Sequence, residues 1–227
     1  MNQVNLMLIA SGSGTDADAI MRAWKQGGIP EVGNIVLVST HASAACLEKA
    51  TDWGVKPITL VPPNLPLKSK KDKKRYCEDL KGAIDENMTH LIFLVGCVVV
   101  LPLVPRISMF NIHPADPEFH GGDGMYGLRV HEHVLAVALD EIKRGKRHIF
   151  GDPLYTYPTI HEVTAIPDDG DPLLRGSVEI PRTLLMELWH GHCSLKEAAK
   201  KLQAVVLPYE WMMLPTAVRM AAARIQT

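Results

Sequence analysis

Short, unbroken apolar runs alternate with segments of helical period through the N-terminal half of the chain. This alternation constrains the fold more than any other feature. Val4–Ala10 runs straight into the turn Ser11-Gly12-Ser13-Gly14-Thr15. Ala17, Ile20, Met21 and Trp24 then recur on one helix face, closed by Gly27-Gly28. Next come a strand at Asn34–Ser39, a helix at Ala42–Trp53 stopped by Gly54, and a strand at Lys56–Val61. A proline-rich loop, Pro62-Pro63-Asn64-Leu65-Pro66, leads through a basic segment into a helix to about Glu86, followed by the apolar strand Leu91–Val95. Strands apolar on both faces must be covered on both, which crossover helices do for parallel strands. The reading is α/β: a single Rossmann-like domain, mainly parallel in its sheet, with helices on both faces.

The C-terminal half changes character. Phe110–Gly127 is rich in His, Gly, Pro and Asp, which is loop composition; Val130–Arg144 has helical period. Ile149–Ile166 and Arg175–Ile180 alternate as strands do. Ser194-Leu195-Lys196-Glu197 is a capping box opening a helix to about Val206. Pro208 is expected to interrupt it, with a final helix over Glu210–Ile225, kinked or restarted near Pro215. No repeat and no linker is visible, and 227 residues, at about 150 per domain, make one compact unit.

Composition removes several classes of function. Lys plus Arg number 24 against 25 Asp plus Glu, so the chain lacks the basic excess of a general nucleic-acid binder. At 47% hydrophobic with a net charge of −1, it is not disordered. The longest apolar run, Leu91–Val104, is fourteen residues broken by Gly96 and Pro102. A membrane span needs about 18. No signal peptide is expected from the residues ahead of the first strand, and Cys46, Cys77, Cys97 and Cys193 form no CxxC pair. The expectation is a cytoplasmic protein with reduced thiols, acting on small molecules, with neither nucleic acid nor membrane as partner.

Three motifs carry candidate chemistry. Glycines in Ser11–Thr15 let the backbone approach an anion, and the following helix start presents free N–H groups, so a phosphate is the natural guest. A plain strand-to-helix turn is the competing reading. Gly12-x-Gly14-x-x-Ala17 only loosely fits a dinucleotide fingerprint, because Ser39-Thr40-His41 stands where the second strand should end on an acid. In Asn111-Ile112-His113-Pro114, residues two apart share one side of an extended segment. An amide donor suited to an oxyanion then stands beside a group that titrates near neutrality. A structural Asn-His pair fits the same spacing. Pro167-Asp168-Asp169-Gly170-Asp171-Pro172 is an acidic turn without calcium-loop spacing, and solvated carboxylates are its plainer reading. His131-Glu132-His133 and His190-Gly191-His192-Cys193 lack an HExxH or CxxC frame, so no metal is assigned.

Taken together, these segments resemble the folate-dependent formyltransferases, most closely the branch that acts on glycinamide ribonucleotide. The resemblance rests on Leu8–Ile20, Gly96–Pro102, Asn111–Pro114, Gly121–Leu135, Ile160–Leu174 and Tyr209–Pro215, in the family's order across nearly the whole chain. It implies transfer of a formyl group from 10-formyltetrahydrofolate, a co-substrate, to an amine in purine biosynthesis, without a metal. The acceptor- and phosphate-binding half would span about 1–100, and the catalytic, folate-binding half about 101–227. Other acceptors remain open within the family (a nucleotide-linked amino sugar, or water in a formyltetrahydrofolate hydrolase). Outside it, the alternative is a non-catalytic nucleotide-binding module.

The resemblance also implies roles by residue. Asn111, His113 and Asp169 match the catalytic trio, with Asn111 and a protonated His113 on the oxyanion and Asp169 holding His113 charged. Gly12, Ser13, Gly14 and Thr15, with Lys73, would hold the acceptor's phosphate; Gly96 and Glu210 would contact the acceptor, Glu210 through its ribose hydroxyls. Val98, Val99, Val100 and Leu101, with Thr164, Ala165 and Ile166, would bracket the pterin. The chain departs from the family at Asp16, where Asn is usual, at Val99, where Arg is common, and near Leu207, where many members are basic or polar. A monomer or homodimer is expected.

Overall fold

The computed structural model describes residues 3–62 and 69–226. Most of the proline-rich loop, and Lys68, therefore lie outside the described residues. The chain builds β1 (Val4–Ala10), α1 (Thr15–Lys25), β2 (Val32–Ser39), α2 (Ala45–Asp52), β3 (Lys56–Thr59), α3 (Lys70–Glu86) and β4 (Leu91–Leu94). It continues through β5 (Ser108–His113), α4 (Pro117–His120), α5 (Leu128–Lys143), β6 (Tyr155–Thr156) and β7 (Thr159–Glu162). The last elements are β8 (Pro172–Arg175), β9 (Val178–Glu179), α6 (Arg182–Trp189) and α7 (Leu195–Gln226).

Seven strands form one sheet in the order β3-β2-β1-β4-β5-β7-β8, with β6 and β9 pairing separately. β1 to β5 are parallel, whereas β7 and β8 join antiparallel at one edge. The two-residue period of β1 sorts its side chains onto two cores. Leu6, Leu8 and Ala10 meet Ile20 and Met21 of α1, Ala50 of α2 and Leu214 and Val218 of α7, while Met7 and Ile9 meet Tyr76, Leu80 and Ile84 of α3. Helices thus cover both faces, as the apolar runs require. A third core, under α5, α6 and the N-terminal part of α7, closes the C-terminal half.

Two expectations are corrected. Asn111 and His113 lie on a strand, β5, rather than in a loop, because Ser108–Asn111 pairs in parallel with β4 and Phe110–His113 pairs antiparallel with β7. The C-terminal region is one continuous helix, with Pro208 and Pro215 inside it. An interior proline costs about 3 kcal/mol. Here the helix runs on because Val206, Leu214, Ala217 and Val218 are buried on both sides of the two prolines, against α1 and α5. Its start is the expected capping box: Ser194 N–H donates to Glu197 Oε2 at 2.8 Å, and Glu197 N–H donates to Ser194 Oγ at 3.3 Å.

Candidate active site

Strand order reverses between β1 and β4, and a crevice opens there beyond the strands' carboxyl ends, where open α/β sheets place ligands. Backbone hydrogen bonding holds its two lips together: Ser11 N–H donates to the Gly96 carbonyl at 3.1 Å. Ser11 Oγ also accepts from Val98 N–H at 3.0 Å and from Thr40 Oγ1 at 2.7 Å. The crevice deepens into a cavity of about 290 Å³ that runs from Asp16 and Glu210 at one end, past Gly96–Leu101, to Asn111, His113, His161 and Asp168.

The polar floor is assembled from three segments. His113, at the carboxyl end of β5, is 2% exposed. Its Nε2 lies 3.0 Å from the His120 carbonyl, which only accepts, so Nε2 carries a proton. The other ring nitrogen, Nδ1, faces Asp168 Oδ2 at 3.5 Å. His161 stands directly opposite Asn111 in the β5–β7 register. It donates from Nδ1 to the Glu162 carbonyl at 2.9 Å, which leaves Nε2 free to accept from the Asn111 amide at 3.4 Å. Asp168 closes the group: Oδ1 accepts from Asn111 Nδ2 at 3.5 Å, and Oδ2 accepts from Gly122 N–H at 3.0 Å.

Electrostatics tune these groups in opposite directions. Burial pushes His113 below the usual imidazole value, although the Asp168 carboxylate pulls it up. The expectation that a neighbouring carboxylate raises His113 is therefore corrected: the carboxylate acts in that direction, but desolvation outweighs it. Asp168 is held below the ordinary carboxylate value; burial opposes this, but the imidazole rings of His161 and His113 beside it and the Gly122 N–H prevail. The result is an ionised acid beside a neutral base whose vacant nitrogen points at it. A proton arriving on Nδ1 is compensated at once.

The carboxylate in this group is Asp168, not Asp169. Asp168 takes a left-handed backbone, φ 60°, which turns its side chain inward and leaves Asp169 exposed. Asn111, His113, Gly96, Glu210, Val98, Val99, Val100, Leu101, Thr164 and Ile166 all line the cavity. Gly12, Ser13, Gly14, Thr15 and Ala165 are not part of its wall, and Gly12 and Ser13 stand exposed on the β1–α1 turn. Lys73 is an exposed residue of α3, also off the wall. The residues that sequence reasoning missed are Asp168, His161 and the Gly122 N–H. His161 carried no distinct signal, since β7 reads Thr-Ile-His-Glu with only one apolar residue.

The Asp168 turn is fixed by close packing. A Cβ on Gly170 would lie 1.8 Å from the Glu162 carbonyl oxygen, and one on Gly121 would lie 2.8 Å from Asp168 Cβ. Both glycines let backbone pass where a side chain has no room. Among the described residues, no group of three or more His, Cys, Asp or Glu is disposed to hold a metal, and no helix is long and apolar enough to cross a membrane.

Comparison with known proteins gives a consistent picture. Residues 4–188 match the family model described as formyl transferase. A chloroplastic phosphoribosylglycinamide formyltransferase of Vigna unguiculata is 29% identical over 171 residues, covering 73% of this chain and 48% of that protein. The chain thus spans about half the length of that relative. Among solved structures, glycinamide ribonucleotide transformylase 1 from Symbiobacterium toebii matches at TM-score 0.69 and 23% identity, covering 98% of this chain and 89% of the other. Phosphoribosylglycinamide formyltransferase from Brucella melitensis matches at TM-score 0.66 and 22% identity, covering 98% and 97%. These structural likenesses establish the fold.

Proposed function

Because the chain belongs to the formyl transferase family, we propose that it transfers a formyl group from 10-formyltetrahydrofolate to the primary amine of glycinamide ribonucleotide, a step of purine biosynthesis. The observation that carries the reading is the Asn111–His113–Asp168 group, an amide donor, a buried base and an ionised acid converging on one cavity. The named relatives support the choice of acceptor.

The amine nitrogen attacks the formyl carbon, and the carbonyl oxygen becomes an oxyanion. The Asn111 amide and the His113 imidazole, charged as the oxyanion forms, stabilise it. Asp168 balances the imidazolium and relays the proton lost by the amine. The carbon–N10 bond then breaks, and that proton ends on N10 of tetrahydrofolate. Excluding water from the cavity keeps the formyl group for the amine rather than for hydrolysis.

The folate ring would lie between Val98–Leu101 and Thr164–Ile166, two wall segments that offer apolar surface and backbone hydrogen-bonding groups. The acceptor would occupy the other end, with its phosphate toward Gly12–Thr15 and its ribose toward Glu210. On this reading the whole chain is one cytoplasmic domain, with acceptor groups in residues 1–100 and catalytic and folate-binding groups in 101–227. The experiment is a formyl-transfer assay with 10-formyltetrahydrofolate and glycinamide ribonucleotide, run beside His113→Ala. Turnover that falls 10²–10³-fold in the variant supports the proposal, in the range of about 10²–10³ for removal of one oxyanion donor. Folate binding without turnover overturns the choice of acceptor, and absence of both overturns the activity.

A further inference from the structure

Two carboxyl groups that the transfer chemistry leaves idle share the acceptor end of the cavity. Asp16 stands in the first turn of α1 and Glu210 at the middle of α7, and both line the wall with Gly96, Cys97 and Leu207. Asp16 Oδ1 and the indole N–H of Trp211 are both sealed from solvent, and neither makes a well-formed hydrogen bond, although the indole lies near enough to Asp16 to favour its charged form. Glu210 is buried, and among the described residues neither carboxyl enters an ion pair. Buried charges are ordinarily paired, so carboxyls in this wall without a cationic partner favour their protonated form. The positive end of α1, which would attract an external anion, already has a carboxylate of the protein in its first turn.

We infer that Asp16 determines which acceptors enter: a phosphate-bearing acceptor binds with uptake of a proton by Asp16, whereas an acceptor presenting only hydroxyls there binds without it. The inference rests on the cavity being the formyl-transfer site proposed above. The ionisation behaviour agrees. Burial raises Asp16 to about 6, against the opposing pull of the Trp211 indole, and burial with the Asp16 charge raises Glu210 well above the ordinary carboxylate value. Among the wall residues no lysine or arginine offsets the charge. Burial pushes the Cys97 thiol up and brings His131 down to about 4, so both are neutral at pH 7. The remaining wall acids, Asp123 and Asp168, add negative charge.

Ribose 5-phosphate binding, measured by calorimetry at pH 7 in buffers of different ionisation enthalpy, reads proton uptake without requiring turnover. KM for glycinamide ribonucleotide is measured in parallel from pH 6 to 8.5. The wild type is expected to take up close to one proton, and its KM to rise up to about tenfold per pH unit above Asp16's titration. Asp16→Asn abolishes the uptake and flattens that rise to the phosphate's own titration; Glu210→Gln, which keeps Asp16, retains the uptake. Uptake that is equal in wild type and Asp16→Asn overturns the inference, as does ribose 5-phosphate binding to neither. Proton uptake lost in Asp16→Asn, with no formyl transfer in either protein, overturns the transfer reading and leaves the Asp16 proton site standing.

Discussion

Replacing Asp168 by Asn removes the charge of this residue while keeping its size and its backbone conformation. Asn is isosteric, tolerates the left-handed backbone that Asp168 adopts at φ 60°, and can still accept from Gly122 N–H through its amide oxygen. What is lost is the negative charge 3.5 Å from His113 Nδ1, together with the weak 3.5 Å acceptor that Oδ1 offers Asn111. At an effective dielectric of about 20, that charge stabilises an imidazolium by about 3–4 kcal/mol after side-chain relaxation. Each 1.36 kcal/mol is tenfold in rate, so kcat is expected to fall by about 10²–10³. The exposed neighbour supplies the control: Asp169→Asn should change kcat by less than about threefold. The assay is initial-rate formyl transfer at saturating 10-formyltetrahydrofolate and glycinamide ribonucleotide, with thermal unfolding confirming that both variants are folded. Full activity in Asp168→Asn, or an equal loss in Asp169→Asn, refutes the assignment of the charge to Asp168.

Three further outcomes follow from packing and ionisation. Gly170→Ala drives a methyl group into the Glu162 carbonyl, so it should cost about 3 kcal/mol in urea unfolding and reduce kcat by displacing the Asp168 turn; wild-type stability would show that this turn yields freely. Ser11→Ala leaves Val98 N–H without its acceptor, and should cost about 1–2 kcal/mol and raise KM for the folate more than for the acceptor, whereas equal effects on both would contradict a role confined to the 96–101 lip. His131, with its folded value near 4 and an unfolded value of about 6.5, contributes stability that is complete above pH 6.5 and lost as pH falls towards 4, about 3 kcal/mol in all. Unfolding of wild type and His131→Gln at pH 7 and pH 4.5 checks this: the variant should lose distinctly less stability on acidification, and parallel losses would be the contrary result.

The N-terminal architecture was legible because its signals are local. Apolar runs such as Val4–Ala10 and Leu91–Leu94 are too short for helices and too continuous for one-sided strands, so burial between helix layers follows from the residues themselves. The glycine turn after β1 and the Ser194–Glu197 capping box were equally plain, since a few adjacent residues contain the whole interaction. Asn111 and His113 were legible as a pair because a two-residue spacing settles a shared side in any extended segment.

What tertiary structure decided was non-local. Whether Asp168 or Asp169 faces His113 depends on one backbone turn, held by the close approach of Gly170 to Glu162 and of Gly121 to Asp168, and two adjacent aspartates look alike in a sequence. His161 entered the site through the register of β7 against β5, which no spacing along the chain encodes. Pro208 and Pro215 stayed inside one helix because burial on both flanks outweighs a local preference to break. The direction of His113's shift is likewise a matter of depth: its carboxylate neighbour was foreseeable as a type of residue, but the desolvation that outweighs it exists only once the chain has closed around the ring.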